Sequence, residues 1–258
     1  MMGADLASAL VAPTQEDPLS TLSSPARRTP DAARPAPLPA AVLWDMDGTL
    51  IDTEPYWLAA ETALVEAHGG EWTVADWSSL IGSSMTVAAA VLQSRGVALG
   101  AEEIAAALNG SVRAAVEARV PWQAGALEAI RALHAAGVPQ ALVTSSFEVL
   151  AAPFAATVGL FDVVVAGDHV TEPKPHPEPY LTAARLLGVA PEDCVAVEDS
   201  RSGLASAVAS GARVVAMTTH VPVEPPVGVT RASSLLDLDL ATFQRIASGE
   251  VLDLRAAG

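Results

Sequence analysis

The chain contains a single cysteine, Cys194. That excludes an intramolecular disulfide and a zinc site built on several thiolates. Aromatic residues are scarce at 4%, so Ala, Val and Leu must fill any core. Positive charge is also scarce: 14 lysines and arginines face 30 acids, a net charge of −16. Nucleic-acid phosphates and anionic membrane surfaces repel such a chain unless a basic patch intervenes, and no patch stands out. No apolar run approaches the roughly 18 residues that would cross a bilayer. The amino terminus, MMGADLASALVAP, has no basic leader and only a short apolar stretch, so the expectation is a cytoplasmic protein without a secretory signal. The remaining composition is 51% hydrophobic and 17% charged over 258 residues. That suffices for a sizeable core and excludes a wholly disordered chain.

Residues 1–39 stand apart, with Pro13, Pro18, Pro25, Pro30, Pro35, Pro37 and Pro39 interrupting any hydrophobic period. They read as a disordered tail. From Ala40 short apolar runs alternate with helical patterns. The runs are AAVLW, Gln140 to Val143, Val163 to Ala166, Val195 to Val197 and Val214 to Met217. The helical patterns are Ala126 to Ala136, Glu148 to Val158, Pro179 to Leu187 and Ser202 to Ser210. This alternation predicts an α/β fold with a Rossmann-like parallel sheet, whose ligands sit at the carboxyl ends of the strands. Asp52 to Pro139 contains no convincing strand. Helices over Tyr56 to His68, Met85 to Arg95 and Ala101 to Arg119 make it an inserted α-helical cap. The expected division is a core of 40–54 and 124–245, a cap of 55–123 and a carboxyl-terminal tail of 246–258. Four tryptophans (Trp57, Trp72, Trp77 and Trp122) fall in the cap or its return hinge, where most are expected to form its interior.

Asp45 and Asp47 directly follow the first apolar run. Two carboxylates so placed cannot both be buried without compensation, and a divalent cation is the simplest. The spacing also resembles the start of a calcium loop, but Thr49, Leu50 and Tyr56 stand where such a loop needs an oxygen ligand, a glycine and a glutamate. Gly48 permits a sharp turn that brings backbone amides near an anion. Glu198 and Asp199 end a later run. If that strand lies beside the first, Asp199 reaches the same cation as Asp45, and oxygen ligands of this kind suit magnesium. Thr144 and Ser145 stand at a strand-to-helix junction, where hydroxyls serve either a phosphate or a helix cap. Lys174 is the only lysine, held between Pro173 and Pro175. It offers a compact point charge where arginine offers a planar fork. No pair of the five histidines has metal-ligand spacing.

DMDGT, VTSS, EPKP and VEDS occur in that order, and together they resemble the haloacid dehalogenase-like hydrolase superfamily, in its helical-cap phosphatase branch. DMDGTLIDTEPYW is similar to the phosphatase members, among them relatives of phosphoglycolate phosphatase and beta-phosphoglucomutase. The resemblance spans roughly Ala40 to Leu240. It implies Asp45 as nucleophile and Asp47 as general acid, then general base. It implies Mg²⁺ held by the Asp45 and Asp199 carboxylates and the Asp47 carbonyl. Thr144, Ser145, Gly48, Thr49 and Lys174 would bind the phosphoryl group, with Glu198 and Ser200 in support. Hinges are expected near Asp52 to Pro55 and Trp122 to Gly125.

Departures from related chemistries narrow the expectation. Asp47 argues against halide release, which needs no protonated leaving group. The cap has no lysine for Schiff-base chemistry. Trp57 and Met85 stand where phosphoglucomutase-like members carry a histidine and an arginine, which argues against a sugar phosphomutase and leaves it as the alternative among enzymes. A non-catalytic phosphate-binding protein of the same fold is the alternative from another class. The cap positions expected to face the site are Trp57, Glu61, Ser83, Ser84 and Met85. An acidic cap predicts a small-molecule substrate with one phosphate and a neutral remainder, such as a sugar or polyol phosphate. No nucleic-acid or membrane partner is expected, and the chain is expected to be a monomer or a weak homodimer.

Overall fold

The computed structural model describes residues 37–81, 83–218 and 226–255. Most of the expected amino-terminal tail therefore lies outside the described residues. Within them, Leu38 already packs on the core and the Ala40 N–H donates to the Asp193 carbonyl at 2.9 Å.

Seven strands form one parallel sheet: β1 (Ala41–Trp44), β2 (Gln140–Val143), β3 (Val163–Val165), β4 (Cys194–Glu198), β5 (Arg213–Met217), β6 (Thr230–Ala232) and β7 (Asp253–Leu254). Their spatial order is β3-β2-β1-β4-β5-β6-β7. β1, β2 and β4 are buried along their whole length, which is why they read as unbroken apolar runs rather than alternating ones. Alternate side chains serve opposite faces. Val42 and Trp44 belong to one apolar cluster with Val195, Val197 and Val215. Ala41 and Leu43 belong to a second, with Ala141, Val143, Ala196 and Ala216. The polar atoms buried here are matched: the Trp44 indole donates to Gln140 Oε1 at 2.9 Å, and Gln140 Nε2 donates to the Ile130 carbonyl at 3.0 Å.

The core helices are α5 (Ala126–Ala135), α6 (Glu148–Val158), α7 (Glu178–Leu187), α8 (Arg201–Ala209) and α9 (Leu240–Ala247). Between β1 and α5 stand the cap helices α1 (Glu54–Ala67), α2 (Val74–Leu80), α3 (Met85–Ser94) and α4 (Ala101–Ala118). On α4, Ile104, Leu108, Val112 and Val116 recur every fourth residue and are all buried, one stripe facing inward. The two linkers to the cap run side by side. The Asp52 N–H donates to the Pro121 carbonyl at 2.8 Å, and the Gln123 N–H to the Leu50 carbonyl at 2.9 Å.

Four of these elements were not anticipated: α2, α9, β6 and β7. The last corrects the expected tail after 245. Ile246 is buried in α9, and Asp253 pairs with Arg231 to extend the sheet.

Candidate active site

β1 lies between β2 and β4. Chain-distant segments therefore end side by side at the carboxyl edge of the sheet, the position at which open α/β sheets bind ligands. Asp45 follows β1, Thr144 follows β2 and Asp199 follows β4. The adjacency of β1 and β4, conditional in the sequence, is present in the sheet.

Lys174 enters from the loop before α7, its side chain 2% exposed. Its Nζ donates to Asp45 Oδ1 at 2.8 Å, to Glu198 Oε1 at 2.5 Å and to the Val143 carbonyl at 3.0 Å. Glu198 is fully engaged. Oε1 also accepts the Tyr180 hydroxyl at 3.1 Å, and Oε2 accepts the N–H groups of Asp199 and Ser200 and the Ser200 hydroxyl. Glu198 thus fixes Lys174, while Ser200 also caps α8.

The turn after Asp45 doubles back sharply, with the Gly48 N–H donating to the Ile51 carbonyl at 2.8 Å. Gly48 adopts φ +85°, and a Cβ there would lie 2.1 Å from Asp199 Oδ2. Both facts require glycine. Thr49 donates its hydroxyl to Asp199 Oδ1 at 3.2 Å.

Asp47 is held from four directions. Oδ1 accepts the Thr53 hydroxyl at 2.6 Å and the Trp57 indole N–H at 3.3 Å. Oδ2 accepts the hydroxyls of Ser146 at 2.8 Å and Thr144 at 3.2 Å. The three hydroxyls can turn to accept as well as donate.

Asp45, Glu198 and Asp199 offer carboxylate oxygens within 4.8 Å of one another, all buried. Burial pushes the Asp45 carboxyl up to about 8, the Glu198 charge adds to this, and Lys174 opposes both. Burial, then the charges of Asp45 and Glu198, likewise raise Asp199 well above the carboxylate range. Burial works to strip the Lys174 proton, but Asp45 and Glu198 outweigh it and keep the ammonium charged. One ammonium does not balance this cluster. With Glu198 saturated, Asp45 and Asp199 are the oxygens left to a hard divalent cation, and the donor set fits one.

The cavity above is lined by Asp45, Asp47, Ser145, Ser146, Asp199 and Ser200 from the core. From the cap come Glu54, Trp57, Glu61, Trp77, Ser83 and Met85, with apolar neighbours. Trp57 and Trp77 both line the cavity, and for Trp77 this differs from the expected interior role. Ser84 does not line it: its hydroxyl accepts the Val87 N–H as the cap of α3. Sequence reasoning missed Thr53, Ser146, Tyr180, Glu54 and Trp77. Thr53 precedes a helix, where threonine reads as a cap, yet its hydroxyl goes to Asp47 instead. Tyr180 reads as a core aromatic, and only the fold reveals its hydroxyl on Glu198.

The family model for haloacid dehalogenase-like hydrolases matches residues 39–211. The chain belongs to this family. Several of its relatives are phosphatases by name. Fructose-1-phosphate phosphatase YqaB of Escherichia coli strain K12 is 31% identical, over 67% of this chain and 93% of that protein. Hexitol phosphatase A of the same strain is 32% identical, over 71% of this chain and 84% of that one. The structure is also similar to CbbY of Rhodobacter sphaeroides in complex with xylulose-(1,5)bisphosphate, at 27% identity and TM-score 0.70, covering 80% of this chain and 99% of that chain. This chain is an enzyme of the hydrolase class with an α-helical cap inserted in a Rossmann-like core. No helix among the described residues is long and apolar enough to cross a membrane.

Proposed function

We propose that the chain hydrolyses the phosphomonoester of a small sugar or polyol phosphate, with Mg²⁺, through an aspartyl-phosphate on Asp45. The observation that carries this reading is the meeting of Asp45, Lys174 and Asp199 beside an Asp47 held in place by four donors.

A carboxylate and a phosphate are both anions, so their approach needs positive charge in a site shielded from water. Lys174 supplies one such charge at Asp45. Mg²⁺, held by the carboxylates of Asp45 and Asp199 with the Asp47 carbonyl, would supply Lewis-acid neutralisation of the phosphoryl group. The Asp45 oxygen attacks phosphorus and forms an O–P bond. The bond from phosphorus to the ester oxygen breaks, and Asp47 gives its proton to the departing alcohol. Asp47 then takes a proton from water, whose oxygen attacks phosphorus and releases inorganic phosphate, restoring Asp45. Thr144, Ser145, Gly48 and Thr49 border the phosphoryl position. The cap, over 55–123, closes the site and carries the residues that meet the leaving group.

The two phosphatases named above act on fructose 1-phosphate and on hexitol phosphates by their names, which supports a leaving group rich in hydroxyls. The test is phosphate release from a panel of metabolite phosphates and p-nitrophenyl phosphate in Mg²⁺. Asp45→Asn is expected to lower turnover by about three orders of magnitude or more, since it removes the nucleophile. Full turnover by Asp45→Asn would overturn the assignment.

A further inference from the structure

On α1, Glu54, Trp57 and Glu61 stand at positions i, i+3 and i+7, so one helix face carries all three toward the cavity. Glu61 is only 4% exposed, and its Oε2 accepts no hydrogen bond. An acceptor buried this deeply without a donor is costly in a folded protein. Trp77 lies near Glu54 and Trp72 near Glu61, which favours their charged forms. Neither indole N–H completes a hydrogen bond. Burial raises both carboxyls to about 7, so each can exchange between donor and acceptor near neutral pH.

The cavity holds no positive charge at this end. Among its described lining residues there is no lysine, arginine or histidine. Of the three cap arginines, Arg95 pairs with Asp76, Arg113 faces Glu117 at 3.7 Å, and Arg119 does not line the cavity. The cap lining also includes the apolar side chains of Leu80, Ile81, Ala88 and Leu108.

We propose that Glu54 and Glu61 form the leaving-group subsite, where they bind the hydroxyls of an uncharged polyol or sugar and exclude leaving groups that carry a second anion. This rests on the phosphatase reading above and assigns its specificity to two residues. A substrate hydroxyl in the cavity meets the carboxyl groups of Glu54 and Glu61, which can accept from it or, when protonated, donate to it. A substrate carboxylate or second phosphate would instead meet two carboxyl groups, with Asp47 nearby and no counter-charge. A site built to meet hydroxyls discriminates strongly, because its buried polar atoms go unmatched with the wrong partner.

The experiment compares kcat/KM for sorbitol 6-phosphate with that for phosphoglycolate. The purified full chain is assayed in Mg²⁺ as wild type, Glu61→Gln, Glu61→Leu and Glu54→Gln. Wild type is expected to favour the polyol ester. Glu61→Gln removes the charge at constant shape and is expected to shift the ratio toward phosphoglycolate by about tenfold. Glu61→Leu is expected to raise KM for the polyol ester more than it lowers kcat. Thermal melts check folding, and Glu54→Gln serves as the second arm if Glu61→Leu does not fold. A wild type that favours phosphoglycolate overturns the subsite, as does a ratio within twofold of wild type in both glutamine variants. Wild-type release of phosphate from p-nitrophenyl phosphate upholds the phosphatase reading in either case. No release from any ester overturns that reading and this proposal with it.

Discussion

At Lys174 charge and size separate cleanly. Every other basic residue in the chain is arginine, and the fold shows why this one differs. Its side chain is 2% exposed, and one nitrogen serves Asp45, Glu198 and the Val143 carbonyl at once. A planar guanidinium cannot converge on three such acceptors from one atom and needs more volume. Lys174→Arg keeps the charge, yet is expected to lose most turnover and about 1–3 kcal/mol of stability through overpacking. Phosphate release and urea unfolding measure the two, and near-wild-type values would show that charge alone suffices. Glu61 offers a second test. Its carboxyl is raised by burial from 4.5 to about 7, so the folded state keeps a proton that the unfolded state releases. That contribution to stability is full below about 4.5 and is lost as pH rises through about 7. Glu61→Gln does not titrate. Its stability relative to wild type is expected to grow from pH 5 to pH 8, by at most about 3 kcal/mol. A difference independent of pH in urea unfolding would contradict this. The four motif positions Asp45, Asp47, Lys174 and Asp199 were legible as residue types with chemical work to do. Ser146 and Thr53 were not, because a hydroxyl beside a helix start reads equally well as a cap.

Elements with strong apolar runs were legible, and weak ones were not. β1 and β4 are buried on both faces and announce themselves. β6 is three residues, Thr-Arg-Ala, and β7 only two, so neither carries a period to detect. α2 has seven residues, yet its start carries a capping box in which Thr73 and Asp76 satisfy each other's backbone N–H groups. That signal was readable and marks the helix that brings Trp77 to the cavity. The start of α8 shows local preference and tertiary packing in opposition. In a helix, alanine is better than glycine by up to about 1 kcal/mol. At Gly203 a Cβ would stand 1.7 Å from Glu198 Oε1, the oxygen that fixes Lys174. Packing decides this position. Gly203→Ala is expected to lower the melting temperature and, by displacing Glu198 and Lys174, to reduce turnover by about 100-fold. Circular-dichroism melts and steady-state kinetics check both, and a more stable variant would mean that helix propensity prevails.

For the whole molecule, the sequence disclosed the class of fold but not the order of the strands. Alternating strands and helices imply a parallel sheet. They do not say that β4, some 150 residues away, lies against β1, and the site depends on that contact. The contact gathers Asp45, Glu198 and Asp199 in a chain that already carries a net charge of −16. Burial without enough positive charge makes the cluster a strain on the metal-free fold, as the raised carboxyls of Asp45 and Asp199 show. A cation that binds only the folded state therefore adds stability by mass action. At 100 times its dissociation constant the gain is about 2.7 kcal/mol, which for a chain of this size raises the melting temperature by about 5–10 °C. Asp199→Asn removes one crowded carboxyl group together with one proposed ligand. It is expected to melt higher than wild type in chelator and to respond little to Mg²⁺. Thermal melts across a Mg²⁺ titration, with chelator as the zero point, read both effects. A wild type whose melting temperature stays constant across that titration, or an Asp199→Asn variant that rises as much as wild type, would place the cation elsewhere.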